Sequence, residues 1–351
     1  MFENFNNKKI LIVGGAGFVG SNLVFQILEQ SPREIIIIDN LISSDVTNIP
    51  SDERVRFIFG SITDDQILTA LPEDLDYVFH LACFHGNQSS IADPFADHKN
   101  NALTSLKLFD RLSRIKNLKK VVYAAAACAV AEKTFDTANA TTEDQPITLY
   151  HDSPYSISKI IGELYGNYYF ERYQLPIVKA RFSNVYGPCE ILGAGQWRGT
   201  IHTVWRNVTP TFIWRSLNGE TLPLDNSGKT SRDFIFVEDI AHGLIACAQK
   251  GDTGGVYNLA SGKETSILEL ANLINEFTGN TTPLDMLPAR DWDRSGKRFA
   301  STYKAKKELG FTTKIEMREG IKRTVEWTKT NKELIKLSIA KHDKMMSQEK
   351  A

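Results

Sequence analysis

The sequence predicts an α/β protein built on a doubly wound parallel sheet, with a smaller C-terminal lobe for substrate. Three observations carry this expectation. A short apolar run, residues 10–13, leads directly into glycines at 14, 15, 17 and 20. A second apolar run, 35–38, ends in Asp39. Strand-like and helix-like segments then alternate through the first half of the chain, the pattern of parallel strands joined by crossover helices.

The first run reads as a buried strand, and Ser21 to Gln30 reads as a helix. Gly14, Gly17 and Gly20 stand at the turn between them, and Gly15 completes the G-x-G-x-x-G spacing. Glycines here permit a tight turn, close approach of backbone to a pyrophosphate, and tight packing of helix on strand. The phosphates would sit at the helix N-terminus, where free N–H groups and the dipole favour anions. A plain glycine turn explains the loop alone but not the acid after the second strand. Asp39 lies roughly 20 residues on, where a carboxylate binds the adenosine ribose hydroxyls. It would repel a 2′-phosphate, so the expected cofactor is NAD rather than NADP, on a Rossmann-type sheet.

Further strands are expected at 55–59, 77–82, 120–125 and 177–182, with helices near 18–30, 64–71, 99–116 and 154–173. After Tyr186-Gly-Pro188 the texture changes. The segment 189–206 carries Gly193, Gly195, Gly199, Trp197 and Trp205 without periodicity, the mark of a binding loop. A strand and helix return near 234–249, then a helix near 266–278 and a Pro- and Arg-rich stretch, 283–300. Residues 331–351 are Lys-rich and read as a solvated helix fraying into a tail. The expected organisation is a cofactor-binding domain at 1–183, with 233–260 returning to it. A substrate lobe follows at 184–232 and 261–330, then a tail at 331–351.

At 351 residues the chain is long for one core, which favours two lobes. The formal charge of −1 gives no reason to expect nucleic acid or an acidic membrane surface. Cys83, Cys128, Cys189 and Cys247 are scattered without C-x-x-C. That argues against a disulfide framework or a metal site and for a reducing, cytoplasmic compartment. No apolar run approaches a membrane span, and no signal peptide is visible. In that setting the N-x-S/T triplets at Asn87, Asn139, Asn207 and Asn280 are chance matches.

Tyr155 and Lys159, in Ser153-Pro-Tyr-Ser-Ile-Ser-Lys159, lie one helical turn apart on one face. An ammonium beside a phenol favours the phenolate and lowers its pKa, which would make Tyr155 a general base near neutral pH. By itself such a pair is as well explained as a solvated helix face.

Taken together these features resemble the extended short-chain dehydrogenase/reductases of the nucleotide-sugar epimerase/dehydratase family, over roughly residues 8–330. The markers are the glycine loop, Asp39, Gly60-Ser-Ile-Thr-Asp64, His80-Leu-Ala-Cys83, Asn101, Tyr155-x-x-x-Lys159, Arg181-Phe-Ser-Asn-Val-Tyr-Gly-Pro188 and Arg232-Asp-Phe-Ile-Phe-Val-Glu-Asp239. The resemblance implies a cofactor site of Gly14, Gly17, Phe18, Val19, Gly20, Asp39 and Asn40, continued by Asn101. Ile62 and Asp64 would flank the adenine, and Leu81 and Ala82 would line the middle. Lys159 would also hydrogen-bond the nicotinamide ribose. It implies substrate contacts from Asn184, Asn207, Val208, Arg232, Arg290 and Asp293, the arginines on phosphate and Asp293 on ribose. Arg232 could instead make a surface ion pair, and Arg290 and Asp293 could cap a turn. The resemblance also implies a homodimer through the helices at 99–116 and 154–173.

One departure stands out. The family places a Ser or Thr shortly after the strand at 120–125, bridging the substrate hydroxyl and the tyrosine. Here the run is Tyr123-Ala-Ala-Ala-Ala-Cys-Ala-Val-Ala131. The usual position falls near Ala126, with Ala127 or Ala129 in a slipped register. The acids that dehydratases and decarboxylases carry there are absent as well. Either the alanines are native and Cys128 or a water supplies the bridge, or a hydroxyl has been replaced by substitution.

The expected activity is NAD-dependent epimerisation at C4 of a nucleotide-diphosphate sugar, a UDP-hexose, with Tyr155 and Lys159 catalytic. Three rivals stay open. One is a UDP-uronic acid 4-epimerase, suggested by Lys297 and Arg298. The others are an oxidoreductase or ketoreductase with net turnover of cofactor, and a catalytically impaired NAD- and sugar-binding protein.

Overall fold

The computed structural model describes residues 4–131, 134–289 and 296–349. Its centre is a seven-stranded parallel sheet. The strands are β1 (Lys9–Val13), β2 (Glu34–Asp39), β3 (Val55–Phe59), β4 (Tyr77–His80), β5 (Lys120–Ala126), β6 (Ile177–Phe182) and β7 (Val256–Leu259), in the order β7-β6-β5-β4-β1-β2-β3. The order reverses between β1 and β4, so a crevice opens beyond their carboxyl ends, where such sheets bind ligands. The apolar runs form continuous buried strands because both faces are covered by helices.

Six of the seven strands lie where the sequence places them, within a few residues. The strand read near 234 is Phe234–Phe236, which pairs with Asn184–Tyr186 outside the main sheet. The seventh sheet strand is β7 instead. Ile235 enters the main core while Phe234 and Phe236 enter a second one.

The helices that position the site are α1 (Phe18–Leu28), α2 (Asp65–Thr69), α3 (Thr104–Leu112), α4 (Ala127–Val130) and α5 (Pro154–Tyr173). The second core gathers α6 (Val208–Leu217), α8 (Ile267–Thr278) and α9 (Met317–Thr330), while α7 (Val237–Lys250) packs on α1. Ser266 and Glu269 form a reciprocal capping box at the start of α8.

The expectation of a solvated helix fraying into a tail holds for its helical form and for the largely exposed 343–349, but not for the solvation of 332–342. Helix α10 (Lys332–Ala340) buries Ile335 against Ile191, Leu192, Ala194 and Trp214. His342 Nε2 lies 2.9 Å from the Gly193 carbonyl. A Cβ on Gly193 would come within 2.4 Å of the Ser338 carbonyl oxygen. The end of the chain is therefore seated against the irregular segment 189–206. The Lys residues that suggested solvation occupy only its outer face.

Candidate active site

A cavity of about 590 Å³ runs from the glycine loop after β1, past the carboxyl ends of β4 and β5, to α6. At its first end the backbone is pressed close. The amides of Leu81 and Ala82 both donate to the Val13 carbonyl at 2.8 Å. A Cβ at Gly14 would meet the Ala82 nitrogen at 2.4 Å, and one at Gly20 would meet the Gly14 carbonyl at 2.2 Å. Gly17 caps α1 with no side-chain acceptor, which leaves the first-turn N–H groups facing the loop. The donors and dipole fit a pyrophosphate.

Asp39 ends β2 at the cavity wall. Its carboxylate accepts from Ala16 N (3.1 Å), Leu41 N (2.9 Å) and Ser44 Oγ (2.8 Å). Burial nevertheless holds its pKa above the ordinary value. The three bonds fix its orientation and leave acceptor capacity for a ribose hydroxyl. A 2′-phosphate there would place two anions together in a poorly solvated site.

Phe18, Val19, Asn40, Ile62, Leu81 and Ala82 also line the cavity. Two expected cofactor contacts do not. Asp64 is exposed and caps α2, accepting from Gln66 N at 2.8 Å. Asn101 is buried and ties Phe84 N (2.7 Å), Asp97 Oδ1 (2.7 Å) and Ser158 Oγ (3.2 Å) together. It holds the cavity wall against α5 from behind.

Helix α5 carries the reactive pair. Ser153 caps it, accepting from Ser156 N, with Pro154 in the first turn. Gly162 lets α5 close on β5, since a Cβ there would overlap the Tyr123 hydroxyl at 2.1 Å. This approach brings Lys159 Nζ to 2.9 Å from the Ala124 carbonyl, which it bonds. Tyr155 and Lys159 both line the cavity and are buried.

The expected lowering of the Tyr155 pKa is not found in this arrangement. Burial pushes the phenol well above 10, and Cys83 and Cys128 add to the effect. Lys159 does not offset it, because its ammonium is turned to Ala124 and lies 5.8 Å from the centroid of the Tyr155 ring.

The alanine run occupies the wall beside them. β5 extends through Ala126, and Ala127 opens α4. Ala124 to Ala127 and Cys128 line the cavity, whereas Ala129 packs in a small cluster with Ala126, Tyr155 and Ile160. This narrows the place for a bridging hydroxyl to Ala126 or Ala127.

At the far end Asn184, Asn207, Val208 and Arg232 line the cavity as expected. Arg232 Nη1 donates to the carbonyls of Ser231 and Gly296, both at 2.6 Å. Arg290 and Asp293 lie outside the described residues. Lys297 pairs through its backbone with Thr134 and does not line the cavity, whereas Arg298 does.

Four residues that the motifs did not single out belong to the site. His85 sets its ring edge-on to Tyr155, centroids 5.8 Å apart, and its Nε2 lies 3.2 Å from Asn207 Oδ1. Asn207 Nδ2 donates in turn to Glu190 Oε1. Arg198 and Arg206 complete the group, all bordering the cavity. Burial keeps the His85 imidazole below its ordinary pKa and pushes Glu190 up to about 7. The sole sequence signal for the last three was the aperiodic stretch 189–206.

The model of the NAD dependent epimerase/dehydratase family matches residues 10–260, most of the chain. The chain belongs to that family. Among solved structures, the epimerase/dehydratase chain is similar to WbmF of Bordetella bronchiseptica in complex with NAD+ and UDP. The two are 54% identical over 98% of each chain, with a TM-score of 0.89. It also resembles a UDP-N-acetylglucosamine 4-epimerase of Methanobrevibacter ruminantium in complex with UDP-N-acetylmuramic acid. There the identity is 30% over 93% of this chain and 99% of that one, with a TM-score of 0.81. A UDP-glucose 4-epimerase of Mycolicibacterium smegmatis is 29% identical over 323 residues, covering 91% of this chain and 98% of that protein. No helix among the described residues is long and apolar enough to cross a membrane.

Proposed function

We propose that the protein is an NAD-dependent epimerase that inverts C4 of a nucleotide-diphosphate sugar, a UDP-hexose or its derivative. One observation carries the reading. Tyr155 and Lys159 lie in a single cavity, with the glycine loop and Asp39 at one end and Asn207, Val208 and Arg232 at the other. Relatives named as UDP-sugar 4-epimerases, and the WbmF complex with UDP, support the choice of sugar chemistry and of base.

NAD fits the loop amides of Gly14 to Gly20 and the Asp39 carboxylate, and when bound supplies the acceptor and donor of hydride. The chain's own residues do the rest. Tyr155 takes the proton of the C4 hydroxyl and returns it after the 4-keto sugar has presented its other face. Lys159, anchored on Ala124, places a positive charge beside the reacting region. Arg232 and the 207–208 backbone hold the nucleotide end. Binding far from the reacting carbon then positions the sugar. Incubation with UDP-glucose, UDP-galactose and their N-acetyl forms tests this, as does analysis of the nucleotide released on denaturation. Conversion without added cofactor is expected.

The missing hydroxyl favours one second reading. Cys128 and His85 border the cavity beside Tyr155, and neutral imidazoles and thiolates are bases suited to removing a proton from carbon next to a carbonyl. On this reading the substrate arrives already oxidised and the protein inverts a carbon adjacent to its keto group.

A homodimer accords with the outer face of α5. Ile157, Leu164 and Tyr168 are all about half exposed there, at helical spacing. The mass in solution tests it.

A further inference from the structure

Arg198 and Arg206 form a pair of cations bordering the cavity, and among the described residues no carboxylate accepts a hydrogen bond from either. Arg198 is 5% exposed. Its Nη1 donates to the His85 carbonyl at 2.7 Å, and its guanidinium lies 5.5 Å from the centroid of the Phe84 ring. Arg206 donates from Nη2 to the Ala194 carbonyl. Both Nε atoms are buried and have no hydrogen-bond partner among the described residues, and the same is true of Glu190 Oε2. Burial depresses both guanidinium groups, Arg206 lowers Arg198 further, and Glu190 partly offsets the effect on Arg206. Burial pushes Glu190 up to about 7, and even ionised it offsets one of the two guanidinium charges. The pocket thus retains more positive than negative charge. Burying a guanidinium with only neutral carbonyl partners is costly, and fork-shaped donors suit a carboxylate.

Arg206 directly precedes Asn207 at the nucleotide end, whereas Arg198 is tied to the reacting region. Arg198 is held by the backbone of His85, whose ring meets Tyr155. Arg232, the candidate for phosphate, is held by Ser231 and Gly296 instead. Arg206 is fixed through Ala194, in the loop that the C-terminal helix α10 supports.

We infer that the sugar carries a carboxylate and that Arg198 and Arg206 bind it, so that the substrate is an acidic nucleotide-diphosphate sugar. The inference rests on the nucleotide-sugar reading above and assigns its substrate class. The acid is assigned to these two arginines rather than to Lys297 and Arg298, the cations that the sequence had suggested.

Calorimetric titration of the intact protein with UDP, UDP-glucose and UDP-glucuronate tests it, with UDP-galactose and UDP-galacturonate as a second pair. The wild type is expected to bind the uronate about 10- to 100-fold more tightly than the neutral hexose, the range for hydrogen bonds to a charged group. Equal affinity for acid and hexose in both pairs would overturn the inference and leave the nucleotide-sugar reading standing. Arg198→Gln and Arg206→Gln should each lose most of the preference while binding UDP within about threefold of wild type. A preference unchanged in both variants overturns the assignment to these side chains. A parallel loss of affinity for UDP itself would mean that they bind the diphosphate. If the wild type binds none of the UDP compounds, the nucleotide-sugar reading fails and this inference with it. The comparison of ligands on the wild type needs no variant to fold.

Discussion

Lys159 donates to the carbonyl of Ala124 at 2.9 Å, the first of the alanines that line the wall beside Tyr155. The lysine that should activate the base is thus anchored on the strand that lacks the usual hydroxyl. With Lys159 turned this way, nothing among the described residues lowers the phenol's pKa enough to offset its burial.

Two results should follow at Tyr155. In the protein without ligands, spectroscopic titration should show no ionisation of this phenol below its ordinary value of about 10, judged by comparison with Tyr155→Phe. The same variant should lose about 10²- to 10⁴-fold in turnover, as for other general bases, while keeping its affinity for nucleotide. A variant within about threefold of wild type would show that another group takes the proton.

The alanine run predicts a slow enzyme. Ala126→Thr or Ala127→Thr restores a hydroxyl at the cavity wall, and by analogy with single catalytic donors the gain could reach about 10²- to 10³-fold. Ala129→Thr should not help, since that residue packs with Ala126 and Ile160 away from the cavity lining. Steady-state kinetics of the three variants and of Cys128→Ala would decide. No gain from either of the first two, with loss in Cys128→Ala, would mean that the thiol does the work.

Asp39 is held by three donors at the end of β2, so it cannot swing aside to admit a 2′-phosphate. Fluorescence titration should show strong preference for NAD over NADP. Equal affinities would remove the ribose assignment.

Glu190 gives a pH signature. Its folded pKa is about 7 against an ordinary 4.5, raised by burial. The folded state therefore binds the extra proton between these values, and stability falls as pH rises from about 4.5 to 7. The loss is at most about 3 kcal/mol for this group. Glu190→Gln should abolish it, so the difference in denaturant midpoint between wild type and variant should grow across that window. A difference independent of pH would show that Glu190 is ionised throughout.

Much of this was legible in local sequence. The glycine loop, Asp39 and the Tyr155–Lys159 pair are short-range patterns whose geometry is fixed by one strand end or one helical turn. Asp64 and Asn101 matched the pattern too, yet capping and wall-tying use the same polar atoms as ligand contacts. Spacing cannot tell these uses apart. Arg198, Glu190 and Arg206 were not legible, because 189–206 has no period of its own. Its shape comes from Ile335 and His342, well over a hundred residues away in sequence. Those same contacts are why the burial within the C-terminal Lys-rich helix was missed. The activation of Tyr155 by Lys159 was inferred from spacing alone, which says nothing of which acceptor the ammonium chooses.

Turnover in deuterium oxide is the most direct test of hydride exchange at C4. The UDP-sugar should be converted to its C4 epimer with the original hydrogen retained at C4 and no deuterium on any ring carbon, read by proton NMR and mass spectrometry. No conversion of the UDP-sugar, with deuterium entering a carbon beside the carbonyl of a UDP-keto-sugar supplied instead, would contradict it and place the chemistry in proton transfer by Cys128 and His85.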